Sequence, residues 1–118
     1  MEIGYDIWLD NDGKAFGEEC FRLLETVEKT GSLNKAALEL NLSYGCVMKT
    51  LQKCEKKLGF ALLERTIGGS SGGGSCLMPE AKILLTKYKL FHDELSESVS
   101  EIFRKYFNLS GQVKQRAE

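Results

Sequence analysis

No run in this chain approaches the roughly 18 consecutive apolar residues that cross a bilayer, and the opening MEIGYDIWLD lacks the basic-then-apolar order of a secretory leader. A cytoplasmic location without membrane attachment is the expectation. Proline and histidine occur once each, as Pro79 and His92. His92 has no partner at metal or catalytic spacing, and no nucleophile–base constellation accompanies it, so an enzyme is not expected and neither is a metal or cofactor. The four cysteines, Cys20, Cys46, Cys54 and Cys76, form no C-x-x-C pair, which argues against a zinc ribbon or a redox motif. In a reducing compartment they read as small buried apolar side chains.

What is present is enough for one folded domain. The 118 residues are 42% hydrophobic and 28% charged, far from the composition of disordered chains. The net charge of −1 conceals an asymmetry. Residues 1–30 hold eight acids against three bases, whereas residues 31–66 hold six bases (Lys35, Lys49, Lys53, Lys56, Lys57, Arg65) against three acids. The middle third is therefore the part suited to a polyanion, although a charge run alone is more often a solvated face.

Along the chain, Tyr5, Ile7 and Leu9 alternate with Asp6 and Trp8, the period-2 pattern of a strand. Asp10-Asn11-Asp12-Gly13 is a turn, and Lys14–Phe16 is the return of a small hairpin. Phe21, Leu23, Leu24 and Val27 set a helical period from about Glu18 to Lys29, which Thr30-Gly31 stops. Ser32 caps a short helix carrying Leu33, Ala36, Ala37 and Leu40. Ser43 caps a longer one in which Val47, Leu51, Cys54 and Leu58 share a face that ends at Gly59. A short alanine-bearing helix, a three-residue turn and a longer capped helix make a helix-turn-helix. Its free side carries Tyr44, Gly45, Met48, Lys49, Gln52, Lys53 and Lys56, groups able to touch bases and phosphates.

The tract GGSSGGGS at 68–75 resembles a linker, but Ala61–Arg65 reads as a strand before it and Cys76–Met78 as that strand's partner after it. A strand pair after a helix-turn-helix is a wing, here spanning 61–78, with Gly72 and Gly73 at its tip. Glycine suits a tip because it takes positive φ freely and lets backbone approach a phosphate. A nucleotide-cradling loop is excluded, because no Lys-Ser or Lys-Thr closes the tract. Pro79 opens a last helix to Phe107, lined by Ala81, Leu84, Leu85, Tyr88, Phe91, Leu95, Ile102 and Tyr106. At 1.5 Å per residue it extends about 40 Å. A small domain cannot cover that length, so Leu84, Tyr88, Phe91, Leu95 and Ile102 are assigned to a homodimer contact.

The expected fold is thus mainly α with a little β: a winged helix-turn-helix over 1–78 with an N-terminal hairpin, a dimerisation helix over 79–107 and a flexible tail over 108–118. Thr30-Gly31-Ser32-Leu33 with Ala36-Ala37, then Leu42-Ser43-Tyr44, Leu58-Gly59 and the glycine-rich wing resemble the N-terminal DNA-binding domain of the ModE-type molybdate-responsive transcriptional regulators. More distantly, the chain is similar to the helix-turn-helix of LysR-type regulators. The resemblance covers nearly the whole chain and implies a dimer whose recognition helix enters the major groove of double-stranded DNA at a palindromic site.

Two departures qualify what the resemblance carries over. The family's C-terminal oxyanion-binding module has no counterpart here, so direct molybdate binding is not expected. Basic residues usual just after the Ser-Tyr pair are replaced by Gly45 and Cys46, which removes the arginine type suited to guanine. Ser43, Tyr44, Lys49, Gln52, Lys53 and Arg65 remain for DNA, with Gln52 as base reader and the lysines as phosphate anchors; Tyr44 has a core position as its alternative. Gly45 costs about 1 kcal/mol relative to alanine in a helix, unless close docking uses the space. The alternative function is a winged-helix protein–protein interaction module that has lost DNA binding.

Overall fold

The computed structural model describes residues 1–66 and 74–107, and eight elements lie among them. They are β1 (Leu9–Asp10), β2 (Lys14–Phe16), α1 (Glu18–Thr30), α2 (Leu33–Glu39), α3 (Tyr44–Leu58), β3 (Leu63–Thr66), β4 (Gly74–Leu77) and α4 (Pro79–Phe107). The architecture is the winged helix-turn-helix that the sequence implies, with two separate antiparallel strand pairs and a long last helix.

Local chemistry sets the helix ends. The Ser32 hydroxyl accepts from the Lys35 amide at 3.2 Å and the Ser43 hydroxyl from the Cys46 amide at 3.1 Å, each satisfying a donor that the first helical turn leaves open. Gly31 and Gly59 close α1 and α3 at φ 75° and 85°, where a side chain would be strained. Between α2 and α3, Asn41 takes φ 60° and the Leu42 amide returns to the Ala37 carbonyl at 2.9 Å. This tight turn fixes the angle at which α3 leaves α2.

The hairpin is shorter than the alternation of Tyr5, Ile7 and Leu9 suggests. Only Leu9 and Asp10 pair with β2; Tyr5 and Trp8 stay about half exposed, so of the period-2 pattern only Ile7 is buried and the segment before Leu9 is not a strand. In the wing, Leu63 pairs with Leu77 and Thr66 with Gly74. β4 therefore begins inside the glycine-serine tract, two residues before Cys76. The Ser75 amide also donates to the Gly31 carbonyl at 2.9 Å, tying the wing to the end of α1. Gly72 and Gly73, like the tail 108–118, lie outside the described residues.

One core joins all of this. Phe16, Leu23, Leu24, Val27, Leu51 and Leu62 are essentially solvent-free, and Ala81, Leu85 and Tyr88 of α4 pack into the same cluster. Two expectations are corrected here. Tyr88, assigned to the dimer stripe, is buried within its own protomer, where its hydroxyl donates to the Ile7 carbonyl at 2.7 Å; Leu84 is half-buried against the same core. A helical stripe reports that a face is apolar, not which partner covers it. Nor are the cysteines uniformly buried: Cys20 is, Cys54 is half-buried, and Cys46 and Cys76 are exposed.

Candidate nucleic-acid interface

α3 is gripped on three sides and bare on the fourth. Val47 and Leu51 plunge into the core, each about 1% exposed. At 100° per residue, Gly45, Lys49, Gln52, Lys53 and Lys56 fall within an arc of about 100° on the opposite side, and every one of them is exposed. Tyr44, 43% exposed, is not a core residue, which resolves its two alternatives in favour of the surface. Gly45 has open space around it: a Cβ there would meet nothing within 4 Å. Nothing inside the protomer requires a glycine at this position.

The wing holds one flank of α3. The Glu55 carboxylate accepts from the Leu62 amide at 2.7 Å, anchoring the entry to β3, and the Arg65 guanidinium lies 3.3 Å from the Met48 sulfur. Met48 is half-buried against the core, so it supports Arg65 more than it presents itself to a ligand. The hairpin holds the other flank. Asn11 donates its side-chain amide to the Lys57 carbonyl at 2.8 Å, and the Lys57 ammonium bonds the Asp12 carbonyl. Lys57 is thereby spent on structure, while Lys49, Lys53 and Lys56 have no carboxylate within ion-pair distance among the described residues. Their charge is available to an external anion.

Between β2 and α3 runs a groove of about 520 Å³. Its hairpin wall brings in Lys14 and its helical wall Lys49, Lys53 and Lys56. Lys14, whose ammonium lies 3.7 Å from Asp6 and 5.1 Å from the centre of the Trp8 ring, is a site residue that the sequence did not single out. It sits 35 residues before Lys49, and no local period links them; only the packing of the hairpin on α3 does. Beneath the groove the neighbouring Cys54 thiol, together with burial, drives the Cys20 thiol far above its ordinary value, and Cys20 in turn holds Cys54 below its own. Cys20 stays protonated.

Of the DNA-contact residues assigned from sequence, Ser43, Tyr44, Gly45, Lys49, Gln52 and Lys53 lie together on α3, and Arg65 joins them from the base of the wing through Met48. Among the described residues no group of histidine, cysteine or carboxylate side chains could hold a metal ion. No helix there is long and apolar enough to cross a membrane.

Comparison with known proteins agrees with this geometry. Residues 19–71 match the bacterial regulatory helix-turn-helix proteins of the lysR family. The chain is 31% identical over 101 residues to the molybdenum-pterin-binding protein MopB of Rhodobacter capsulatus, covering 86% of this chain and 37% of that one. It is 31% identical over 102 residues to the molybdenum transport protein ModE of Azotobacter vinelandii, covering 80% of this chain and 38% of the relative. The chain thus spans little more than a third of the length of these relatives. Among solved structures, the DNA-binding domain of BenM on benA site 1 DNA shares the fold at a TM-score of 0.55 and 24% identity, over 73% of this chain and 91% of that one.

Proposed function

From the premise that this chain carries a winged helix-turn-helix of the ModE and LysR type, we propose that it is a cytoplasmic transcriptional regulator that binds double-stranded DNA as a homodimer at a palindromic site. The observation that carries the proposal is the bare side of α3, where Lys49, Gln52 and Lys53 stand exposed between wing and hairpin. A B-form major groove about 12 Å wide admits one α-helix, and α3 offers it a face with no competing internal contacts. Lys49, Lys53 and Arg65 neutralise phosphates, Gln52 reads a base edge, and Tyr44 meets the duplex at the helix N-terminus.

The proposal is tested by selecting bound DNA from a random pool and measuring affinity by fluorescence anisotropy across a salt series. Binding weakens steeply with salt, because each phosphate neutralised releases condensed cations. Lys49→Ala combined with Lys53→Ala weakens binding to all sequences alike and lowers the salt slope by about 2. Gln52→Ala instead relaxes preference at one position, a discrimination of about 1–3 kcal/mol. A selection that enriches no sequence, with no complex at low salt, overturns the proposal and leaves the protein-interaction reading in its place.

A further inference from the structure

We propose that the groove between β2 and α3 is a binding site for a small amphipathic anion, an apolar body bearing one carboxylate, and that this ligand competes with DNA. The groove's volume of about 520 Å³ lies in the range of small-molecule sites. Ala15, Phe16 and Cys20 close its base from within the core, each 2% exposed or less, and the apolar surface it offers comes from Cys46, Cys54 and the methylene stems of its lysines. Its rim carries four lysines, Lys14, Lys49, Lys53 and Lys56, against one lining carboxylate, Glu19, with Asp6 3.7 Å from the Lys14 ammonium.

This pairing of surfaces selects the ligand. A phosphodiester backbone is charged along its whole length and gains little from apolar surface, so the cleft suits a second kind of ligand better than it suits a phosphate. A neutral apolar molecule would gain nothing from the positive rim. A carboxylate on an apolar body satisfies both, with its charge held at the Lys49–Lys53 edge and its body lying against Cys54 and the lysine stems. Thr50, half-buried on the α3 wall, adds a hydroxyl to the same groove.

Competition with DNA follows from shared residues and rests on the DNA-binding reading above. Lys49 and Lys53 serve both ligands, so a bound carboxylate neutralises them, and each ligand lowers the affinity for the other by the same factor.

The test uses the full chain, isotopically labelled, and 2-naphthoate as probe, with 2-naphthalenemethanol as its uncharged counterpart. Naphthoate is expected to shift the amide resonances of Ala15, Gly17 and Cys54 saturably, and the alcohol to bind at least about 10-fold more weakly. Lys53→Glu, an exposed change that leaves the remaining spectrum in place, abolishes saturation by naphthoate. Naphthoate also raises the apparent Kd of the selected DNA in proportion to its concentration. Absence of saturation, shifts confined to another region, or equal binding of the alcohol overturns the site. Binding in the groove without any effect on an existing DNA complex overturns the competition. Failure to form a DNA complex at all refutes the regulator instead, while the resonance shifts still judge the groove.

Discussion

Tyr88 ties the two ends of the described chain together through a single hydroxyl. Its bond to the Ile7 carbonyl at 2.7 Å is buried, and its ring meets Phe16 edge-on at 5.0 Å and Phe21 at 5.2 Å. Burial, aided by the negative charges of Glu18 and Asp6, pushes the phenol up to about 12. The folded state therefore prefers the neutral phenol more strongly than the unfolded chain does. That preference contributes in full below pH 10, the ordinary tyrosine value, and is lost as pH rises through the folded value near 12. We expect Tyr88→Phe to cost about 1–2 kcal/mol at pH 7, because the Ile7 carbonyl loses its donor. Between pH 10 and 12 wild type should lose roughly 2 kcal/mol more than Tyr88→Phe does. Urea unfolding of both proteins at several pH values measures the difference, which removes the lysine titrations common to the two.

Elements were legible where their signals are local. α2, α3 and α4 begin where their capping serines and Pro79 place them, and Gly31 and Gly59 stop α1 and α3. Removing one such signal should weaken its element: Ser43→Ala leaves the Cys46 amide unpaired and is expected to cost about 1 kcal/mol, read as a lowered urea midpoint with unchanged slope. Gly45→Ala should act in the opposite sense. The space around that residue is open, so alanine's helix propensity should add up to about 1 kcal/mol. The register of the wing was less legible, because glycine and serine carry no period and β4 absorbs Gly74 and Ser75 into its ladder. The β2–α3 groove was not legible at all. Its walls come from segments some 35 residues apart that only tertiary packing brings together, and the same holds for the Cys20–Cys54 contact between α1 and α3.

The whole molecule is longer than its core can explain. At 1.5 Å per residue the 29 residues of α4 run about 43 Å. Only the start of that length meets the core, for the buried residues of α4 are Ala81, Leu85 and Tyr88, all in its first ten positions. Beyond them Phe91, Ile102 and Tyr106 are 49%, 59% and 66% exposed, with Leu95 half-buried on the same stripe. At 100° per residue these four lie within about 60° of one another, a seam of the kind that two antiparallel or crossing helices close. Correcting Tyr88 out of the dimer contact thus shifts the expected interface toward the C-terminal two-thirds of α4 without removing it. The 13.2 kDa chain is expected to sediment at about twice its mass, and Phe91→Asp with Ile102→Asp to sediment as a monomer, since two buried carboxylates are not tolerated in an apolar seam. The consequence for DNA follows from tethering. Under the proposed regulator reading each α3 face reads one half-site, and joining two faces makes the second contact intramolecular, raising affinity for a two-half-site duplex by about 100-fold or more. The double aspartate variant should lose that gain while its affinity for an isolated half-site stays as in wild type, because Phe91 and Ile102 lie on a different element from Lys49 and Lys53. Equal loss on both duplexes would mean that α4 supports the recognition helix itself rather than a second copy.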